Sequence, residues 1–314
     1  MKQPILYIET PIYTNPAIDA ALGKTIYLKM ECYQPVGSFK ARGIGALCQE
    51  AVAAGKGRLI SSSGGNAGYA AAYAGRQLGV SVTVVVPEST SEVARRRIES
   101  EGAELVVYGA AWDEANVHAQ RLAEKVGGAF IPPFDHPTIW RGNATLVDEA
   151  ARQCPKPDAV VLSVGGGGLL CGVVEGLHRN GWSDVPVVAV ETEGAASLAA
   201  SLAQGELVTL PAITSIATTL GARRVAARAL EWAREHPILP YVVTDSDAVR
   251  ACLWFADRQR VVVEPACGAS LSLLLDPHRS KLDRYQSVLM IVCGGAGVTI
   301  GQLLHWRDQP PDSL

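Results

Sequence analysis

Short apolar runs recur along the chain, each closed by Gly, Ser or Pro and each followed by a longer amphipathic stretch. In the first half, "TIYLKME", "RLISSS", "SVTVVVP", "ELVVYG" and "AFIPPF" predict strands; in the second, "DAVVLSV", "VPVVAVE", "PYVVT" and "SVLMIVC" do the same. Helices are predicted between them, beginning near Ser38, Gly65, Ser91 and Ala111. The runs "TVVV", "AVVLSV" and "VLMIV" are apolar without alternation, which suits strands covered on both faces of a parallel sheet. Strand–helix alternation of this kind predicts an α/β protein. The series breaks near residues 130–145, where "IPPFDHPTIWRG" reads as a crossover between two α/β units.

Composition narrows the function classes. The chain has 314 residues, 48% hydrophobic and 19% charged, an ordinary globular balance. A net charge of −3 offers no basic surface, so no nucleic-acid partner is expected. No run is long and apolar enough for a membrane span, and "MKQPILYIETPIY" lacks the features of a signal peptide. Cys32, Cys48, Cys154, Cys171, Cys252, Cys267 and Cys293 form no CxxC pair, which predicts free thiols in a cytoplasmic protein. His118, His136, His178, His236, His278 and His305 show no ligand spacing and are read as surface or structural. "ARRRIES" is read as a solvated helix face.

Candidate chemistry starts at "QPVGSFKARG". Ser38 reads as a helix N-cap, which puts Lys40 in the first turn, where the helix dipole disfavours a cation. Either the lysine is an incidental surface charge or its amine is meant to be neutral. Two glycine-rich loops bear on the choice: "SSSGGNAG" and "SVGGGGLL", each between a predicted strand and a helix. Such loops can be simple tight turns, but glycines at a helix start also let an anion approach the backbone amides. A Walker loop is excluded, since GK[ST] is absent. The dinucleotide pattern fails at its third glycine, where Cys171 stands, although Glu191 ends the next strand where a ribose-binding acid would sit. Four consecutive glycines suit a compact phosphate monoester such as that of pyridoxal phosphate. Lys40 then gains a role as a Schiff-base lysine, which must attack as a neutral amine.

"GSFKARG", "SSGGNAG", "SVGGGGLLCG", "VEPACGA" and "IVCGG" occur in this order across nearly the whole chain. Together they resemble the fold-type II pyridoxal-phosphate enzymes, and within them the catabolic L-serine/L-threonine dehydratases. The resemblance implies two open, twisted, mostly parallel sheets flanked by helices, as in the tryptophan synthase beta fold. It implies a large domain of residues 1–34 and 138–314, a small domain of 35–137, the cofactor in the cleft between them, and a homodimer. Lys40 would bond the cofactor and act as the base at Cα, with Phe39 beside the ring and Asn66 on the ring hydroxyl. Gly165, Gly166, Gly167, Gly168 and Leu169 would hold the phosphate. Ser63, Gly64, Gly65, Asn66 and Ala67 would bind the substrate carboxylate. Cys293 would face the pyridine nitrogen, and a thiol there, unlike an aspartate, would leave the nitrogen unprotonated.

"VETEGAAS" and "TTLGA" match segments that hold potassium in related enzymes. By that likeness Glu191, Ala195, Ser197, Leu220 and Ala222 would form an all-oxygen monovalent-cation site. The implied reaction is β-elimination of water from L-serine, giving pyruvate and ammonia, and from L-threonine, giving 2-oxobutanoate. Another elimination or replacement enzyme, such as a cysteine synthase or desulfhydrase, stays open. So do a nucleotide-dependent oxidoreductase and a non-catalytic binder of the cofactor or an amino acid. Serine racemases of this fold carry a proton-bearing serine at the position of Gly64, so racemisation is not expected here.

Overall fold

The computed structural model describes residues 4–275 and 282–310; His278 lies outside the described residues. The chain opens with β1 (Ile12–Tyr13), α1 (Pro16–Leu22) and β2 (Thr25–Lys29). It continues through α2 (Lys40–Ala53), β3 (Arg58–Ser61), α3 (Asn66–Leu78), β4 (Ser81–Val86), α4 (Glu92–Ser100), β5 (Glu104–Val107), α5 (Trp112–Lys125), β6 (Ala129–Ile131) and α6 (Pro137–Gln153). There follow β7 (Ala159–Ser163), α7 (Gly168–Arg179), β8 (Val187–Thr192), α8 (Ser197–Gln204), α9 (Ala227–Glu235), β9 (Ile238–Val243), α10 (Asp245–Gln259), α11 (Pro265–Leu271), β10 (Ser287–Ile291) and α12 (Ile300–Asp308). Two compact units result, Met1–Ile8 with Gln34–Asn143, and Glu9–Tyr33 with Ala144–Leu314.

The first unit is built on a parallel sheet of order β5-β4-β3-β6. Successive side chains of a strand point to opposite faces, and here both faces are covered. Leu59 and Val84 join one cluster with Ile44 of α2 and Ala70, Ala71 and Ala74 of α3. Their neighbours Ile60 and Val85 join another with Ala115, Ala119 and Ala123 of α5. This two-sided burial is why the strand sequences do not alternate. Small residues let α3 lie close on the sheet: a Cβ at Gly75 would fall 2.0 Å from Val82 Cγ2. The unit also claims Pro4–Ile8, where the expected division carried residues 1–34 whole into the large domain. Leu6 is buried in this core, and Gln34 bonds both the amide and the carbonyl of Ile8 at 2.9 Å.

The second unit has a six-stranded sheet of order β1-β2-β10-β7-β8-β9, parallel except for β1 against β2. Every residue of β7 and β8 is buried. Pro240, which cannot donate to a ladder, sits on the edge strand β9. A polar network lies beneath: Lys29 Nζ meets Glu149 at 2.6 Å and Thr10 O at 2.7 Å, and Thr10 Oγ1 donates to Glu31 at 2.6 Å.

All nine predicted strands form. β6 stops at Ile131, since Pro132 and Pro133 end its pairing, and β9 begins at Ile238, two residues before its predicted start. The two-residue β1 was not predicted. Among the described residues no helix is long and apolar enough to cross a membrane. All seven cysteines are free.

Candidate active site

In the first unit, Lys40 is the first residue of α2, but Ser38 is not its cap. The chain enters the helix through Phe39, whose φ of −52° and ψ of −18° are already helical, and no side chain caps the first turn. Tight bonds from Ala41 N to Ser38 O and from Arg42 N to Phe39 O, 3.3 and 3.0 Å, close the start. An N-cap needs an extended backbone, which this entry does not provide. The Ser38 hydroxyl is left buried without a hydrogen-bond partner. Half-buried Lys40 directs Nζ to Pro133 O at 2.6 Å and lies 5.2 Å from the centre of the Phe39 ring.

The loop after β3 brings Ser63, Gly64, Gly65, Asn66 and Ala67 to the start of α3. Gly65 is the N-cap and offers no side-chain bond, so the first-turn amides have no side-chain cap. Ser63 Oγ accepts from Gly65 N at 3.2 Å and holds the bend. Gly68 is demanded by packing, since a Cβ there would fall 1.8 Å from Ser63 O. Thr90 lies over Gly64: a Cβ at position 64 would be 2.7 Å from both Thr90 Cγ2 and Oγ1.

In the second unit, Gly165, Gly166 and Gly167 join β7 to α7, which begins at Gly168 and Leu169. Gly167 is the N-cap, at a left-handed φ of +86°, and again no side chain caps the helix. Two of these glycines have a steric reason as well. A Cβ at Gly165 would lie 2.9 Å from the Leu220 backbone, and one at Gly167 would lie 2.8 Å from Val225 Cγ2. Gly166 O accepts from Ala226 N at 3.0 Å, fixing the loop against the segment before α9. The result is a rigid bend with a helix N-terminus behind it, the arrangement that favours a phosphate.

Cys293 follows β10 and is buried. A hydrogen bond with Cys267, then burial and the charge of Glu264, hold its thiol well above the ordinary range, so it is neutral. Glu191, at the end of β8, is fully buried and accepts amides from Leu198 at 2.8 Å and Ala199 at 2.7 Å. Burial pushes its pKa up to about 7, against the pull of those two amides. Both oxygens therefore serve α8. Ser197 Oγ, at the start of the same helix, is buried without a partner. Among the described residues no three His, Cys, Asp or Glu side chains cluster to hold a metal ion. The expected cation set, with one carboxylate and several carbonyls, is of another kind.

Reasoning from sequence assigned no role to Thr90 or to Glu264, although "VEPACGA" marked the second. Glu264 is buried, accepts from Gly297 N at 3.2 Å, and accepts from Thr219 Oγ1.

The family described as "Pyridoxal-phosphate dependent enzyme" matches residues 5–294. The protein named "Serine dehydratase-like" of Rattus norvegicus is 50% identical over 308 residues, which cover 96% of this chain and 94% of that one. The "L-serine dehydratase/L-threonine deaminase" of Homo sapiens is 46% identical over 313 residues, 97% and 95% of the two chains. Among solved structures, a fungal L-serine ammonia-lyase from Rhizomucor miehei superposes with a TM-score of 0.92 at 38% identity, covering 97% of this chain and 99% of that one. Maize serine racemase gives 0.86 at 26%, covering 98% and 94%. With its two mostly parallel sheets, its lysine at a helix start and its glycine loops, this chain belongs to the fold-type II pyridoxal-phosphate dependent enzymes.

Proposed function

We propose that this chain is an L-serine ammonia-lyase, an L-serine/L-threonine dehydratase that eliminates water from L-serine to give pyruvate and ammonia and from L-threonine to give 2-oxobutanoate. The observation that carries the reading is that a buried free thiol, and no carboxylate, stands at position 293 just after β10. The names of its relatives support it. The residues suit pyridoxal 5'-phosphate: α7 starts without a side-chain cap on a loop that packing closes to side chains at Gly165 and Gly167, and the Ser38 hydroxyl is an orphan beside Lys40.

When bound, the cofactor supplies an electron sink for charge developing at the substrate Cα. Lys40 holds it covalently and moves the Cα proton. The amides of Gly165, Gly166, Gly167, Gly168 and Leu169 bind its phosphate, Phe39 packs beside its ring and Asn66 bonds its hydroxyl. Ser63, Gly64, Gly65, Asn66 and Ala67 bind the substrate carboxylate at the start of α3. Cys293 meets the ring nitrogen as an uncharged group and leaves it unprotonated. With a thiol in place of a carboxylic acid there, Cys293 would favour departure of the β-hydroxyl together with transfer of the Cα proton to Lys40. Glu191, Ser197 and the carbonyls of Ala195, Leu220 and Ala222 hold a monovalent cation, potassium, and the orphan Ser197 hydroxyl supports that set. The enzyme works as a cytoplasmic homodimer.

The test is borohydride reduction of the protein loaded with pyridoxal phosphate, followed by peptide mapping, alongside pyruvate formation from L-serine. The label is expected on Lys40. A label on Lys56 instead, or no pyruvate from L-serine, overturns the reading.

A further inference from the structure

Asp245 is a buried carboxylate at the first position of α10, with no part in the roles assigned so far. Thr244 caps that helix by accepting from Asp247 N at 3.0 Å, so the Asp245 side chain does not serve as the cap. It turns instead to the segment before Thr218. Ser215 Oγ donates to Asp245 Oδ1 at 2.6 Å, and Ile216 N donates to Asp245 Oδ2 at 2.9 Å. Ser215 Oγ also accepts from Ala217 N at 3.0 Å and lies 2.8 Å from Thr192 Oγ1. A hydroxyl carries one proton, and Ser215 gives it to Asp245, so Thr192 is the donor in that last contact.

The chain Thr192–Ser215–Asp245 ties together the two segments that carry the proposed cation ligands. Thr192 follows Glu191 at the end of β8, and its carbonyl accepts from Ala195 N at 3.0 Å. Gly194, at a φ of +77°, presses that turn onto Thr214: a Cβ there would fall 2.2 Å from Thr214 Oγ1, and Gly194 O accepts from Thr214 N at 3.2 Å. On the other side, Thr218 N donates to Ile216 O at 2.8 Å, Leu220 N to Ala217 O at 2.8 Å and Ala222 N to Leu220 O at 2.7 Å. The places of Leu220 and Ala222 are thus set from residues 215–217, and those residues are anchored on Asp245. A buried polar network whose members answer one another holds a single arrangement.

We propose that Asp245 is a positioning residue for the monovalent-cation site: its carboxylate fixes residues 215–217 and, through them and Thr192, sets the spacing between the oxygens of Glu191, Ala195 and Ser197 and those of Leu220 and Ala222. An all-oxygen site selects its cation by the size and rigidity of the cage, so this spacing governs affinity. The proposal rests on the reading of those five residues as a cation site.

The experiment titrates potassium into potassium-free holoenzyme in tetramethylammonium chloride at constant ionic strength. The proteins are wild type, Asp245→Ala, Asp245→Asn, Ser215→Ala and Glu191→Gln. Potassium affinity is read from the rise of melting temperature with concentration. A general loss of stability lowers every melting temperature without moving that affinity. Asp245→Ala leaves two buried donors unanswered and is expected to weaken potassium binding about tenfold or more. Asp245→Asn keeps one acceptor in the same shape and is expected to recover part of the affinity. Ser215→Ala should weaken binding too, and adding it to Asp245→Ala should cost little more, since both break one chain. If Asp245→Ala does not fold, Asp245→Asn and Ser215→Ala carry the test. Wild-type potassium affinity in the Asp245 and Ser215 variants, with melting temperatures lowered throughout, would make the network a matter of stability alone and overturns the proposal. It spares the cation reading when Glu191→Gln has lost its response to potassium. A wild-type protein that does not respond to potassium removes that reading and the proposal with it.

Discussion

Both oxygens of Glu191 accept amides from the start of α8, yet burial still lifts its pKa from the ordinary 4.5 to about 7. The fold therefore favours the protonated acid. Its contribution to stability is complete below pH 4.5 and is lost as pH rises through about 7, roughly 3 kcal/mol in all. Without potassium, the melting temperature should fall by several degrees across that window. With potassium bound, the charged carboxylate has a partner and the fall should flatten; lithium should do less. Glu191→Gln should lack the pH dependence in potassium-free buffer. Superimposable melting curves in potassium and in its absence would remove the cation from the site. His236 acts in the opposite sense, since burial and then His178 lower its pKa, so its contribution is lost as pH falls. At this scale the sequence was readable in position, since Lys40 falls in the first turn of α2 and the four-glycine run leads into α7. It misled at Ser38, because cap chemistry depends on a backbone angle that residue type alone does not set. Glu191 was seen as a strand-end acid, but spacing could not show that α8 would fold back onto it.

Among the elements, β2 and α6 are joined by a buried ion pair, Lys29 with Glu149, which no helix or strand pattern announces. The pair is far apart in sequence, and only the fold brings the charges together. Removing one partner leaves the other charge buried, so Glu149→Ala should cost about 3–5 kcal/mol. Lys29→Met with Glu149→Leu should recover most of it, measured by denaturant unfolding. A Glu149→Ala protein of wild-type stability would show that the pair contributes little. Strand positions, in contrast, were nearly all legible. Burial on both faces writes a dense apolar run into the chain, and the helix starts at Gly65, Ser91 and Ala111 are punctuated by small or capping residues. β1 escaped because two residues cannot carry a period.

On the scale of the whole molecule, each unit has its own sheet, and each holds a helix whose N-cap is a glycine of a glycine-rich loop, Gly65 before α3 and Gly167 before α7. Sedimentation equilibrium should find two chains per particle; a monomer at every concentration would exclude the proposed homodimer. The fold does not decide the reaction, since serine racemases share it. Incubation with L-serine should give pyruvate with little D-serine, because Gly64 has no side chain to protonate the far face of Cα. D-serine forming as fast as pyruvate would reveal a second base. Thr90 bears on how that outcome could change over descent. A serine at position 64 must place its Cβ where the Thr90 side chain lies, 2.7 Å from two of its atoms. Gly64→Ser alone should therefore strain the loop between β3 and α3, and with Thr90→Ala it should not, a pair of changes whose effects do not add. A lineage moving from elimination toward racemisation would gain the hydroxyl at lower cost once the Thr90 side chain had been moved or shortened.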